Sequence, residues 1–206
     1  QVVPKALYCI PTLQNPTTAI MPAERREAIA EICRRHGVVI VEDDIYGFLV
    51  DDSPPPITSF APESSIFVTS FSKCVAPGLR IGYVRAPVPL LERVSSALRA
   101  TTWMAAPLMA EIAARLVRSG DAARLADAQR SEAIMRQGIA RQRLADFEVA
   151  THPSSFHLWL TLPEPWRREE FTVQARQRGV GVAPAEAFAI GRAPVPHAVR
   201  IGLSAA

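Results

Sequence analysis

The sequence predicts an α/β protein, an open and mostly parallel sheet followed by a smaller α/β domain. Three observations carry this. Short apolar runs alternate with an amphipathic helical stretch over residues 6–70, the order of a parallel sheet with crossovers. Asn15, Asp43 and Lys73 fall just after three of those runs, and ligands of open α/β sheets sit outside the carboxyl ends of strands. From about residue 89 the pattern turns helical, and strand-like runs return only after residue 156.

Residues 6–10 form an apolar run ending at Pro11, a buried strand. Asn15-Pro16-Thr17-Thr18 is turn chemistry. Pro22 opens a helix on which Ile29, Ile32, Cys33 and His36 share a face, and Gly37 stops it. Residues 38–41 are a buried strand that delivers Glu42-Asp43-Asp44 at its end. Ser53-Pro54-Pro55-Pro56 is a loop. Residues 66–70 are a strand running into Ser70-Phe71-Ser72-Lys73, and residues 81–85 another, closed by Ala86-Pro87. Helices are expected over 90–98, 107–117 and, past Gly120, 121–146. Leu158, Leu160 and Leu162 alternate in a strand over 157–162; a helix over 167–178 ends at Gly179; strands over 180–182 and 199–203 complete the chain. The domain boundary is expected near residue 118, with 119–206 a linker helix and small domain.

The 206 residues allow one sizeable domain or two small ones, and a hydrophobic share of 49% is ample for a core. A net charge of +3 without a block of like charge does not mark a nucleic-acid binder. Arg25-Arg26, Arg34-Arg35 and Arg167-Arg168 lie near glutamates and read as solvated helix faces. Cys9, Cys33 and Cys74 lack metal-ligand spacing and read as reduced thiols of a cytoplasmic protein, with no metal site expected. No signal-peptide pattern opens the sequence, and no apolar run is long enough to span a bilayer. The abrupt start at Gln1-Val2-Val3-Pro4 and the end at Ala205-Ala206 suggest a piece of a longer protein.

Lys5 and Lys73 are the two lysines of a chain that otherwise carries its positive charge on arginine. A guanidinium stays protonated and cannot attack a carbonyl, whereas an amine can. Lys73 is therefore a candidate for Schiff-base chemistry. His157, on an apolar strand, reads as a satisfied core residue, and Trp103 as core packing, with a subunit interface or the site as alternatives.

Asn15-Pro16-Thr17, Glu42-Asp43-Asp44-Ile45-Tyr46, Ser70-Phe71-Ser72-Lys73, Gly78-Leu79-Arg80-Ile81-Gly82 and Val199-Arg200-Ile201 follow one another in an order that resembles class I/II aminotransferases, the fold-type I enzymes of pyridoxal 5'-phosphate (PLP). The stretches Tyr8-Cys9-Ile10-Pro11-Thr12-Leu13-Gln14, Ala100-Thr101-Thr102-Trp103-Met104-Ala105 and Ser155-Phe156-His157-Leu158-Trp159-Leu160 are similar to the MocR group of GntR-type transcriptional regulators. In that group such a domain follows a DNA-binding winged helix, which these residues do not include. The resemblance implies a PLP-dependent transferase fold, with residues 1–118 the C-terminal part of the large PLP-binding domain.

It further implies that Lys73 condenses with the PLP aldehyde and that Asp43 pairs with the pyridine nitrogen, with Glu42 and Asp44 as competing carboxylates. Asn15 and Tyr46 would hydrogen-bond the phenolate oxygen; taken alone, Asn15 is a turn residue and Tyr46 a half-buried aromatic. Ser70, Ser72 and Arg80 would hold the phosphate. Arg80 stands between Leu79 and Ile81, a setting where an unpaired charge is expensive, and an internal salt bridge is the alternative. Arg200 would grip the α-carboxylate of an amino acid, or else face solvent from its strand. Pro184-Ala185-Glu186-Ala187-Phe188 has alanine where the family commonly has glycine.

The function implied is that of a regulator's effector domain, binding an amino acid or amine as an external aldimine; a free-standing aminotransferase is the alternative. The intact protein would be a cytoplasmic homodimer reaching DNA through a domain outside these residues. The family's phosphate-capping loop and its aromatic ring stacked on PLP have no match here, so weak or absent PLP binding by these residues alone is expected, together with exposed apolar surface.

Overall fold

A computed structural model describes residues 4–191 and 194–204; the expectations about Gln1-Val2-Val3 and Ala205-Ala206 lie outside the described residues. Two compact units form: Gln1–Thr12 with Ile20–Gln129, and Leu13–Ala19 with Arg130–Ala206.

In the first unit β1 (Ala6–Cys9), β2 (Val39–Asp43) and β3 (Ser65–Ser70) run parallel, and β4 (Gly82–Arg85) pairs antiparallel with β3, in the order β1-β2-β3-β4. The sheet is thus mostly parallel, as expected. Helix α1 (Ala23–His36) connects β1 to β2 and the one-turn α2 (Ile57–Phe60) precedes β3. Gly37 ends α1 in the left-handed conformation, φ 62°. Ala30 and Cys33 of α1 form a core with Val38, Ile40, Ile57 and Ala61.

Two expectations for α1 fail. Its buried stripe is Arg26, Ala30 and Cys33, spaced i, i+4, i+7, while Ile32 and His36 face outward. Arg26 does not coat a solvated face: it is 1% exposed. Its Nε donates to the Met21 carbonyl (2.8 Å), Nη1 to those of Pro54 (3.0 Å) and Pro55 (3.2 Å), and Nη2 to the Pro11 carbonyl (3.1 Å) and Thr12 Oγ1 (3.0 Å). A proline lacks an N–H, so loops rich in it leave carbonyls in want of donors, and a guanidinium supplies five in one plane. Arg34 behaves as expected, pairing at the surface with Glu31 and Glu63.

Beyond β3 come the one-turn α3 (Phe71–Cys74), then α4 (Val88–Thr102), α5 (Pro107–Arg118) and α6 (Asp121–Arg143). Phe71, Ile81 and Ala113 are buried together, with Met109 and Ala122 against them. Tyr83 and Val84 of β4 and Val88, Leu91 and Leu98 of α4 are exposed. Trp103 is not a core residue: it is 69% exposed and caps α4 at φ 65°, past the end of any apolar stripe.

The second unit is an antiparallel sheet of β5 (Val149–Ala150), β6 (His157–Thr161), β7 (Val182–Pro184) and β8 (Ala198–Gly202), in the order β5-β6-β8-β7, with α7 (Arg168–Gln177) before β7. Leu158, Leu160, Leu162 and Val199 are its core, flanked by Leu144 and Phe171. The strand expected from residue 180 begins at Val182, because Val180 donates its N–H back to Ala175 (2.9 Å) in the helix-ending turn around Gly179. Among the described residues no helix is long and apolar enough to cross a membrane.

Candidate functional site

The acidic triplet at the end of β2 is sorted by strand alternation. Glu42 and Asp44 share one face. Glu42 is 0% exposed, and its carboxylate accepts the backbone N–H of Ile57 (3.0 Å) and Thr58 (2.9 Å), capping the first turn of α2. Burial and the nearby Glu42 push the Asp44 carboxyl up to about 6, against the lowering by Arg26 and Thr12. A Cβ at Gly47 would collide with that carboxylate, which explains the glycine. Asp43 takes the opposite face. Its Oδ2 accepts the Tyr8 hydroxyl at 2.7 Å and its Oδ1 the Ile45 N–H at 3.1 Å. Of the three competing carboxylates, two are bound into the scaffold on the α1 side, and Asp43 stands apart from them.

Asp43 pairs in register with Val68 of β3, two residues before Ser70. Ser70 caps α3, its Oγ accepting the Ser72 N–H at 3.2 Å. Buried Phe71, packed edge-on to Tyr83 (5.5 Å between centroids), anchors the turn that carries Lys73. Tyr46 is buried in the turn after β2. Arg80 adopts the left-handed conformation, φ 52°, which turns buried Ile81 inward and leaves Arg80 exposed. The apolar setting expected for Arg80 is therefore not found. Neither Lys73 nor Arg80 has a hydrogen bond or ion pair among the described residues. The first unit thus brings Asp43, Tyr46, Ser70, Ser72, Lys73 and Arg80 onto the carboxyl-end turns of β2 and β3 and the turn before β4.

The second unit holds Asn15 and Arg200. Arg200 Nη1 donates to Asn15 Oδ1 at 2.9 Å, and its guanidinium lies 5.1 Å from the Phe188 ring centroid. Trp159, opposite Arg200 in register, meets Phe188 edge-on at 6.1 Å. Val199 and Ile201 turn to the core, so alternation sends Arg200 to the other face. Its Nε is buried with no hydrogen-bond partner among the described residues. Such an orphaned donor fits a carboxylate ligand. Ala185 is buried in a 3-10 turn without positive φ, so alanine suffices there. His157 is buried as expected, its Nε2 3.4 Å from the Gln14 carbonyl. Burial pushes the thiols of Cys9, Cys33 and Cys74 up, Cys9 to about 12, which disfavours thiolate chemistry near neutral pH.

Sequence reasoning does not single out Tyr8 or Phe188. For Tyr8 a signal exists in retrospect: parallel register sets it beside Val41, on the face that Asp43 shares.

The family described as Aminotransferase class I and II matches residues 2–206. The chain is 34% identical, over 98% of its length and 44% of the relative's, to the uncharacterized HTH-type transcriptional regulator YdeF of Bacillus subtilis (strain 168). It is 28% identical to aromatic-amino-acid aminotransferase 1 of Thermococcus litoralis, covering 89% of this chain and 46% of that protein. It superposes on the crystal structure of Pyrococcus horikoshii kynurenine aminotransferase in complex with PMP with a TM-score of 0.87 and 25% identity, over 97% of this chain and 51% of that one. The chain spans about half the length of these relatives. With a profile match across nearly every residue and an aminotransferase architecture beneath it, this chain belongs to the class I and II aminotransferase family.

Proposed function

We propose that this chain is the aminotransferase-like effector domain of a MocR/GntR-type transcriptional regulator, holding PLP on Lys73 and an amino acid or amine as ligand. The observation that carries the cofactor reading is the pairing of β2 and β3, which sets Asp43 and the Lys73 turn at the carboxyl ends of adjacent parallel strands. Lys73 and Arg80, which have no anionic partner among the described residues, suit a phosphate-bearing aldehyde together with the hydroxyls of Ser70 and Ser72.

When bound, PLP supplies an aldehyde for an amine and a protonated ring that withdraws electrons from the ligand's α-carbon. The residues do the rest. Lys73 Nζ would provide the amine that holds the aldehyde and, when free, a base for the ligand's α-proton. Asp43 would hold a proton on the ring nitrogen. Tyr46 is proposed as a donor to the phenolate oxygen, and so is Asn15. Ser70, Ser72 and Arg80 would hold the phosphate, and Arg200 would take a ligand's carboxylate through its guanidinium fork.

The relatives named as HTH-type regulators support the regulator reading. A free-standing aminotransferase is the second reading, favoured by relatives and solved structures named as aminotransferases. We further propose that the intact protein is a cytoplasmic homodimer, that it reaches DNA through residues outside this chain, and that these 206 residues alone hold PLP weakly.

The test is borohydride trapping of PLP on the full-length gene product, followed by peptide mass mapping. A phosphopyridoxyl mass on the Lys73 peptide, lost in Lys73→Ala, is expected; the same adduct in Lys73→Ala, or none in either protein, overturns the cofactor reading. Ligand-dependent DNA binding without keto-acid release favours the regulator, and sustained release of a keto acid favours the enzyme.

A further inference from the structure

Tyr8 lies on β1 and Asp43 on β2. Parallel register sets Tyr8 beside Val41, and Asp43 follows two residues on, so both side chains leave the same sheet face. Tyr8 donates its hydroxyl to Asp43 Oδ2 at 2.7 Å while the Ile45 N–H reaches Oδ1 at 3.1 Å. Each carboxylate oxygen is therefore held by a donor from a different element, one from the neighbouring strand and one from the turn that follows. A carboxylate offers about four lone-pair sites, so two fixed donors leave room for a third partner in a set direction.

The ring of Tyr8 adds little to the core, since the residue is 62% exposed. A phenylalanine would cover the same apolar surface, and the hydroxyl is used on Asp43. Although the residue is largely exposed, partial burial and the bond to Asp43 push the phenol up to about 12, and it is a donor at neutral pH.

We propose that Tyr8 is a positioning residue, its hydroxyl holding the Asp43 carboxylate in the orientation that receives a protonated heteroaromatic nitrogen. This rests on the assignment of Asp43 to the ring nitrogen of PLP. Tyr8 touches the cofactor's partner and acts through it.

The test is a double-mutant cycle on the full-length gene product, with Tyr8→Phe, Asp43→Asn and the pair. PLP affinity is titrated spectroscopically, the ring nitrogen's protonation is read by 15N NMR of labelled PLP, and melting is recorded without PLP. Tyr8→Phe is expected to weaken PLP roughly ten-fold when Asp43 is present, the scale of one hydrogen bond to a charged group, and less than about two-fold beside Asp43→Asn. Melting without PLP should fall by no more than about 2 °C, since this hydrogen bond is exposed and water can take the place of the lost hydroxyl on Asp43. Full affinity in Tyr8→Phe while Asp43→Asn weakens PLP and shifts the nitrogen signal overturns the role of Tyr8 and leaves Asp43 assigned. Equal losses from Tyr8→Phe in both backgrounds, or a matching drop in melting without PLP, also overturn it. An Asp43→Asn protein with unchanged affinity and nitrogen signal overturns the Asp43 assignment and the Tyr8 role with it.

Discussion

Replacing Arg26 by methionine tests the internal logic of the first unit. Methionine keeps much of the apolar stem and removes every donor. Five hydrogen bonds disappear. The Pro11 carbonyl still receives the Met21 N–H at 2.8 Å, and Thr12 Oγ1 keeps Ser53 Oγ at 3.3 Å. The carbonyls of Met21 and Pro55 lose the arginine, and that of Pro54 is left with a long 3.4 Å contact from Ser53 Oγ. A buried acceptor without a donor costs about 1–3 kcal/mol. Glu42 and Asp44 also lose a nearby positive charge, since both bear on the Arg26 guanidinium. Partial hydration of the proline loop offsets some of this, so a loss of about 3–5 kcal/mol is expected. For a protein of this size that corresponds to a fall in melting temperature of roughly 10 °C. Arg26→Lys retains the charge and three donors, without the fork, and should lose about half as much. Scanning calorimetry of the full-length gene product at neutral pH is the assay. An Arg26→Met protein melting within about 2 °C of the wild type would refute the reasoning.

Asp44 gives a pH signature. Its folded carboxyl titrates at about 6 against an ordinary 3.8, so between these values the folded form binds more protons than the unfolded one. Stability then falls as pH rises through that window and levels off above it, by about 3 kcal/mol at most. Asp44→Asn should flatten this segment of the melting-versus-pH curve, and an unchanged slope would contradict the assignment. Arg200→Lys should weaken an amino-acid ligand about 10- to 100-fold while leaving an amine without a carboxylate nearly untouched. Spectral titration with the two ligands checks this, and equal weakening of both would argue against carboxylate recognition.

Much of the fold was legible because its signals are local. The punctuation by Pro22, Gly37 and Gly179, the alternation of Leu158, Leu160 and Leu162, and the strand ends carrying Asp43 and Ser70 all survive in the structure. What was not legible depends on partners distant in sequence. Arg26 looks like any arginine beside glutamates, and its burial follows from proline carbonyls some thirty residues on. Trp103 reads as core by its size, yet it falls on a helix cap. The exposure of Arg80 follows from a left-handed residue that neighbouring letters do not announce. The two-residue β5 is too short to leave a periodic trace. In the acidic triplet the family resemblance pointed to Asp43 with Glu42 and Asp44 as competitors, and the contacts of Glu42 with α2 and of Asp44 with the Arg26 side set those two apart from it.

The seven residues Leu13–Ala19 cluster with the second unit, although the chain on either side of them clusters with the first. The backbone therefore changes unit three times, and a single scission after Gln129 would leave the second unit without Leu13–Ala19, which stay on the fragment that carries the first. A chimera that borrows the second unit from a relative must import this short segment as well, or it will separate Arg200 from the asparagine that orients it.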